Sequence, residues 1–250
     1  MAAELGISGI DIEDRLLTNY KPDYLESLAH SVESRGVRFG YCGLIISFQD
    51  PITSIPDEIV RAKTLIDAVP HLGIDRIRVP GNGVVNGQSI ENTFDAVRAK
   101  FQEICDYAND AGVTVFLHNH NHGSTPSTGA QVLKMLDQLD SPALSYVLDT
   151  GQFQGSPGSS GDGAPSNGAQ PALYESIEMC APKAAMVRAK FYFAEPGDER
   201  WLDYPRIVRT LKNVDFEGPI SIVYEPRAGV LSTEALPAAV GYLTELFEQK

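Results

Sequence analysis

The stretch ENTFDAVRAKFQEICDYANDAGVTVFLHNH, residues 91–120, joins a long amphipathic segment to a short run rich in β-branched and apolar residues. The first part has the length and pattern of a helix, and the second part has those of a strand. Gly112 stands between them, where the left-handed residue that ends many helices is expected. The stretch therefore predicts a helix that leads directly into a strand.

The same alternation recurs along the chain. Six more β-rich runs, each followed by an amphipathic segment, are ISGIDIE (7–13), VRFGYCGLIISF (37–48), IDRIRVP (74–80), LSYVLDT (144–150), AAMVRAKFYF (184–193) and PISIVYEP (219–226). Glycines again follow predicted helices at Gly36, Gly73 and Gly218. This spacing predicts parallel strands joined by crossover helices. Seven such units without a linker favour one barrel domain, residues 1–250, over a doubly wound sheet.

A closed barrel of this kind has eight strands, and the sequence offers seven. MAAELG, residues 1–6, has the character of the last turn of a helix that runs into the first predicted strand. We therefore expect a (β/α)8-type TIM barrel that lacks its first strand and most of its first helix. The alternative is an open barrel whose edge is covered by a partner, because a bare strand edge invites pairing. That alternative allows a homo-oligomer.

The charge balance and the cysteines limit the class of protein. Lys plus Arg number 20 against 33 for Asp plus Glu, which gives a net charge of -13 and a pI near 4.7. Such a chain disfavours nucleic acid and anionic membranes as partners. No apolar run approaches the ~20 residues that span a bilayer. The odd set of three cysteines, without CxxC spacing, predicts buried free thiols in a cytoplasmic protein.

Several segments together resemble a known family. They are AAELGISGIDIE, RVPG, GVTVFLHNHNHG, VLDTGQ, RAKFYF and DYPRIVRTLKNVDFEGPISIVYEP, and they cover nearly all of the chain. In this order and spacing they resemble the sugar phosphate isomerase/epimerase group of the xylose isomerase-like TIM barrels. The resemblance implies a sugar-processing barrel with a divalent metal at its C-terminal mouth.

The resemblance also implies four metal-binding positions, typically Glu, Asp, His and Glu on successive strands. Carried over to this chain, they fall on His118, Asp149, Arg188 and Val223. Only Asp149 is unchanged, although members with histidine at the first position exist. Arg188 cannot ligate a cation, because a guanidinium keeps its proton at accessible pH. Val223 has no donor atom.

Strand alternation suggests which side chains could compensate. His118 and His120 share one parity and are expected to point into the barrel. Glu225 shares the parity of Val223 and lies ~6.6 Å nearer the mouth. We therefore predict a weakened site for Mn²⁺, Co²⁺ or Mg²⁺ made of His118, Asp149 and Glu225, with His120 as the acid/base.

Two cations are expected on the same inward face. Arg188 and Lys190 share parity and are candidates to hold the oxygens of a substrate. The alternatives are that they make an anion site, or that Arg188 pairs with Asp149 in place of a lost metal. Asp11 and Glu13 alternate on the first predicted strand, and one of them is expected to be a partner of these cations.

Two loops complete the interpretation. His122 is expected to be a solvated residue where the strand gives way to the loop GSTPSTG. Residues 153–170, FQGSPGSSGDGAPSNGAQ, are too rich in Gly, Ser and Pro to pack in a core. This second loop follows Asp149, so it is expected to be either a lid or an insertion without a role.

Three functions from different classes remain open. The first is a sugar isomerase, epimerase or related lyase that acts on a small polyhydroxylated carbonyl compound by metal- or cation-assisted proton transfer. The second is a degenerate, metal-free barrel that binds a ligand or partner without turnover, which the residues at positions 188 and 223 favour. The third is an endonuclease of the same superfamily, which the charge of -13 and the shortage of metal ligands disfavour.

Overall fold

The computed structural model describes residues 2–45, 52–83, 89–121, 123–157, 169–192, 199, 201–225 and 231–249. The α-helices are α1 (Pro22–Glu33), α2 (Ile55–Ala68), α3 (Ile90–Ala111), α4 (Gly129–Gln138), α5 (Pro171–Cys180), α6 (Tyr204–Asn213) and α7 (Ser232–Glu248). The strands are β1 (Gly9–Glu13), β2 (Arg38–Gly43), β3 (Arg76–Pro80), β4 (Asn82–Gly83), β5 (Thr114–His118), β6 (Ser124–Thr125), β7 (Leu144–Asp149), β8 (Met186–Phe191) and β9 (Ile220–Tyr224).

The main sheet contains all seven predicted strands, in the order β1-β2-β3-β5-β7-β8-β9. Its pairs β1–β2, β2–β3, β3–β5, β7–β8 and β8–β9 are parallel. The short strands β4 and β6 form a separate antiparallel pair. The predicted alternation of parallel strands with crossover helices is therefore confirmed.

The chain divides into two compact units. The first consists of Met1–His118, Gly123–Thr125 and Lys134–Tyr146. The second consists of Asn119–His122, Pro126–Leu133 and Val147–Lys250. One domain over residues 1–250 stays a prediction, and the two units are described separately below.

In the first unit, apolar side chains of the strands and of α2 and α3 form the core. Side chains without exposed surface include Leu65, Ile66, Val79, Val97, Phe101, Ile104, Val115 and Leu117. Full burial of one such side chain contributes about 1.5–3 kcal/mol relative to exposure. In the same unit, the register of the β1–β2 pair sets Glu13 opposite Gly43.

The same unit buries an ion pair between α2 and α3. The Lys100 ammonium donates to Glu58 Oε2 at 2.9 Å, to Asn82 Oδ1 at 2.5 Å and to the Pro80 carbonyl oxygen at 3.0 Å. Asn82 Nδ2 and Ser54 Oγ donate to Glu58 Oε1. Because both charges are buried and hydrogen-bonded, this network ties β4 to the two helices.

In the second unit, α6 packs against one face of β8. The Tyr204 ring of α6 stacks on Phe191 of β8, with ring centroids 4.3 Å apart. Since side chains alternate along a strand, Arg188 and Lys190 lie on the opposite face from Phe191. Arg188 and Lys190 therefore lie on the same face of β8, as the sequence predicted.

Glycines end helices at three of the four predicted positions. Gly36, Gly73 and Gly112 have φ values of +79°, +72° and +70°. The prediction for Gly218 is wrong, because the left-handed residue after α6 is Asp215, with φ +51°. Gly218 is needed for a close approach instead. A Cβ at this position would collide with the Ala185 carbonyl oxygen and with the Phe216 ring.

The three cysteines are free and buried, as predicted. Burial is the main cause that raises the pKa of Cys42 and of Cys105 to about 12. These two thiols are therefore protonated at neutral pH and are poor nucleophiles. Among the described residues, no helix is both long and apolar enough to cross a membrane.

Candidate functional site

An ion pair joins the carboxyl end of β7 to β8. Strand register sets Asp149, the last residue of β7, opposite Arg188. Arg188 Nη1 donates to Asp149 Oδ2 at 2.9 Å, and the Gly151 backbone N–H donates to Oδ1 at 2.9 Å. The Asp149 side chain is 0% exposed. The structure thus forms the Arg188–Asp149 pair that the sequence offered as one alternative.

A second pair lies two residues further along β8. Lys190 Nζ is 2.5 Å from Glu225 Oε1, and the lysine side chain is 2% exposed while that of the glutamate is 42% exposed. A Cβ at Gly151 would lie 2.7 Å from Lys190 Cβ, so glycine leaves room for the lysine. Tyr204 Oη donates to the Lys190 carbonyl oxygen. Burial is the main cause that raises the pKa of Tyr204 well above its ordinary value, which keeps this donor protonated.

We call Asp149, Arg188, Lys190 and Glu225 the carboxyl-terminal cluster. It contains two cations and two carboxylates, and each cation is hydrogen-bonded to one carboxylate. Asp149 has no exposed surface, whereas Glu225 is accessible to solvent. Of the two carboxylates, Glu225 is therefore the one that a ligand from solvent can reach directly.

A second group of charges lies in the first unit, and we call Glu13, Arg78 and His118 the amino-terminal cluster. Arg78 Nη2 donates to both carboxylate oxygens of Glu13, at 2.8 and 2.7 Å. Arg78 Nη1 is 3.0 Å from His118 Nδ1. Glu13, one of the two β1 residues offered as a partner for Arg188 or Lys190, is thus bonded to Arg78 of β3. The approach of His118 to Asp149 and Arg188 stays a prediction.

His120 does not continue the strand that carries His118. β5 ends at His118. The alternation of side chains along a strand therefore does not reach His120 and cannot give the direction of its side chain. The His120 backbone N–H donates to the Pro126 carbonyl oxygen at 3.0 Å. His120 is buried, and its acid/base role stays a prediction.

Two asparagines between the histidines hold this segment, and the sequence analysis missed them. The Asn119 side chain bonds both backbone groups of Asp149, with Nδ2 donating to the carbonyl oxygen and Oδ1 accepting from the N–H, each at 2.9 Å. Asn121 Nδ2 donates to the Phe153 carbonyl oxygen at 2.9 Å. An amide that both donates and accepts can replace strand pairing where the strand has ended. The alternation of Asn with His was the available signal.

The loop predictions fall partly beyond the described chain. His122 and residues 158–168 lie outside the described residues. At the described ends of the second loop, the Gln154 N–H donates to the Ser127 carbonyl oxygen and the Gln170 N–H donates to the Gly155 carbonyl oxygen. These backbone bonds fix where the loop leaves and rejoins the second unit.

The residues at the expected metal positions do not fit a divalent cation. Asp149 Oδ2 is bonded to Arg188, Glu225 Oε1 to Lys190, and His118 Nδ1 faces Arg78. A guanidinium or ammonium at this distance takes up one acceptor position of each group, and its positive charge repels a second cation. Within the described ranges, no three His, Cys, Asp or Glu side chains are arranged to hold a metal ion. The site for Mn²⁺, Co²⁺ or Mg²⁺ at His118, Asp149 and Glu225 stays a prediction that this donor set does not support.

Comparison with known proteins identifies the fold. A family model described as "Xylose isomerase-like TIM barrel" matches residues 1–246. This match confirms the predicted TIM barrel fold class. A search of curated proteins found no match.

Solved structures with the same fold include sugar epimerases. A structure of D-psicose 3-epimerase with D-tagatose from Clostridium cellulolyticum H10 has a TM-score of 0.74 and 13% identity, covering 99% of this chain and 92% of that chain. A xylose isomerase-like TIM barrel protein from Mycobacterium smegmatis in complex with magnesium has a TM-score of 0.71 and 16% identity, covering 98% and 85%. The IOLI protein with a binding zinc atom has a TM-score of 0.75 and 17% identity, covering 98% and 90%. At these identities the likeness shows the fold alone.

Proposed function

We propose, because this chain belongs to the xylose isomerase-like TIM barrel family, that it is a sugar or sugar phosphate isomerase or epimerase. Its substrate would be a small polyhydroxylated carbonyl compound. The structural likeness to D-psicose 3-epimerase, solved with D-tagatose, supports this class of substrate. Two proteins with the same fold were solved with magnesium or zinc, whereas Asp149 and Glu225 of this chain are bonded to Arg188 and Lys190.

The Lys190–Glu225 pair is the single observation that carries this proposal. Isomerisation and epimerisation remove a proton from the carbon next to a carbonyl group, while negative charge grows on the carbonyl oxygen. A carboxylate whose side chain is 42% exposed can take that proton, and a buried ammonium beside it can stabilise the oxygen. The ammonium has three N–H donors, so it can hold a ligand oxygen while it remains bonded to Glu225.

Other residues of the second unit would position the substrate and return the proton. The Arg188 guanidinium, which donates from Nη1 to Asp149, is the second candidate to hold oxygens of the substrate. His120 is the candidate that returns the proton, as the sequence predicted. The positive charge needed for the reaction comes from Arg188 and Lys190, so no step is assigned to a metal.

Deuterium exchange from solvent tests this function. With chelator-treated protein in D₂O, one sugar in a panel of ketoses and ketose phosphates is expected to gain deuterium at the carbon next to its carbonyl group. Glu225→Gln should slow the exchange by about 10²–10⁴-fold, the usual contribution of a general base. Glu103→Gln, in an exposed pair with Lys63, should leave the rate unchanged. Proton NMR spectroscopy of the sugar measures the rate.

Two results would contradict these assignments. Exchange that requires added metal would overturn cation-assisted transfer. Exchange that survives Glu225→Gln but is lost in His120→Gln would move the base from the glutamate to the histidine.

Binding without turnover is the second candidate function. The observation that favours it is Asp149, whose two carboxylate oxygens are both hydrogen-bonded in a position without exposed surface. A carboxylate held in this way is a poor base. Sugar binding without deuterium exchange, measured by calorimetry with the same panel, would support this candidate. Nucleic acid and membrane surfaces stay disfavoured as partners by the net charge of -13.

A further inference from the structure

The amino-terminal cluster contains a contact that fixes the position of a proton. Arg78 Nη1 lies 3.0 Å from His118 Nδ1, within hydrogen-bond distance. A guanidinium only donates hydrogen bonds, and it stays charged at all accessible pH. His118 Nδ1 must therefore be the acceptor. A neutral imidazole that accepts at Nδ1 carries its proton on Nε2.

Neighbouring groups hold the guanidinium in this position. Both oxygens of Glu13 accept from Arg78 Nη2, which gives a charge-assisted pair. A Cβ at Gly43 would lie 2.6 Å from Arg78 Nη2 and would collide with the Glu13 carboxylate, so the pair depends on the space at this glycine. The Arg78 guanidinium also lies over the Tyr41 ring, 5.8 Å from its centroid.

We infer that Arg78 fixes His118 as the neutral tautomer protonated at Nε2. His118 Nε2 is then an N–H donor, a polarity that suits an oxygen acceptor. It offers no lone pair to a metal. Metal-binding histidines have the opposite polarity, because their second nitrogen normally donates to a carboxylate, a carbonyl group or water. This inference concerns the free protein and holds whether or not the chain turns over a sugar.

Nitrogen-15 NMR spectroscopy of histidine-labelled protein tests the tautomer without a substrate. Long-range proton–nitrogen spectra distinguish a protonated ring nitrogen from an unprotonated one, and His118→Gln identifies the signals of His118. At neutral pH we expect an unprotonated Nδ1 and a protonated Nε2. A proton on Nδ1, whether in the other neutral tautomer or in the imidazolium, would overturn the inference.

Two variants on β3 test whether the tautomer of His118 depends on Arg78 itself or on any nearby positive charge. Arg78→Met removes the donor, so the His118 nitrogen signals should shift toward values averaged over the two tautomers. Arg76→Met, two residues away and paired with Asp75 at the surface, should leave them unchanged. Identical His118 signals in wild type and in folded Arg78→Met would contradict the role of Arg78.

Zinc titration of the wild type provides a measurement that needs no variant. Because Nε2 carries the proton, Zn²⁺ at a few equivalents should leave the His118 signals in place. A shift of these signals at stoichiometric Zn²⁺ would overturn the inference even if Arg78→Met does not fold.

Discussion

Replacing Arg188 by methionine is expected to lower the free energy of unfolding by about 3–5 kcal/mol, the usual cost of removing one partner of a buried pair. The Asp149 side chain has no exposed surface, so without the guanidinium it either holds an uncompensated charge or takes up a proton, and both cost stability. Methionine fills part of the same volume, so lost packing contributes less than the unpaired charge. Urea denaturation of the two proteins measures the difference.

A double-variant cycle isolates the charge. Asp149→Asn in the Arg188→Met background should recover part of the lost stability, because asparagine is neutral and still offers an oxygen to the Gly151 N–H. Arg206→Met, which breaks a surface pair with Glu178, is the control and should cost at most about 1 kcal/mol. Equal losses for Arg188→Met and Arg206→Met would show that Asp149 does not depend on Arg188.

Lys100→Met is expected to cost a similar amount, about 3–5 kcal/mol, in the first unit. It leaves the buried Glu58 carboxylate without its cation, and Asn82 without the donor to its Oδ1. Thermal or urea unfolding measures the effect. The result would place the Glu58–Lys100 pair among the interactions that hold α2 against α3.

The matched control lies on the same two helices. Lys63→Met removes the partner of Glu103 in an exposed pair and should change stability by at most about 1 kcal/mol. Replacing both Glu58 and Lys100 by apolar residues of similar size should be much less harmful than Lys100→Met alone. If the double variant is as unstable as the single one, packing and not the unpaired charge explains the loss.

The fold could be predicted because it depends on patterns within each segment. A period of two for strands and of about 3.6 for helices identifies elements without knowledge of their partners. All seven predicted strands lie in the main sheet. Gly218 shows the limit of this reasoning, because its need for glycine comes from a close contact and not from its own helix end.

The partners within the candidate site could be predicted only in part. Parity along β8 correctly indicated that Arg188 and Lys190 share a face. The choice of Arg78 for Glu13 depends on the contacts between strands, which no single segment contains. Arg78 was not identified at all, since IDRIRVP has the pattern of an ordinary strand and does not show that one of its two arginines is buried.

Buried polar residues outside the strands were missed for a related reason. Lys100 lies on an amphipathic helix, where a lysine is usually exposed, and only the fold shows that it faces Glu58. Asn119 and Asn121 lie beside histidines that are more typical of catalytic and metal sites. Their hydrogen bonds to backbone groups of Asp149 and Phe153 depend on where β5 ends.

Titration calorimetry with Mn²⁺ tests most directly whether arginine and lysine side chains prevent metal binding at the expected ligands His118, Asp149 and Glu225. At neutral pH the wild-type protein should give only the heat of dilution, because Arg78, Arg188 and Lys190 are hydrogen-bonded to the candidate ligands and their positive charges repel a second cation. Asp149→Asn should give the same trace. A stoichiometric heat in the wild type that disappears in Asp149→Asn would contradict this result and would support a metal site that includes Asp149.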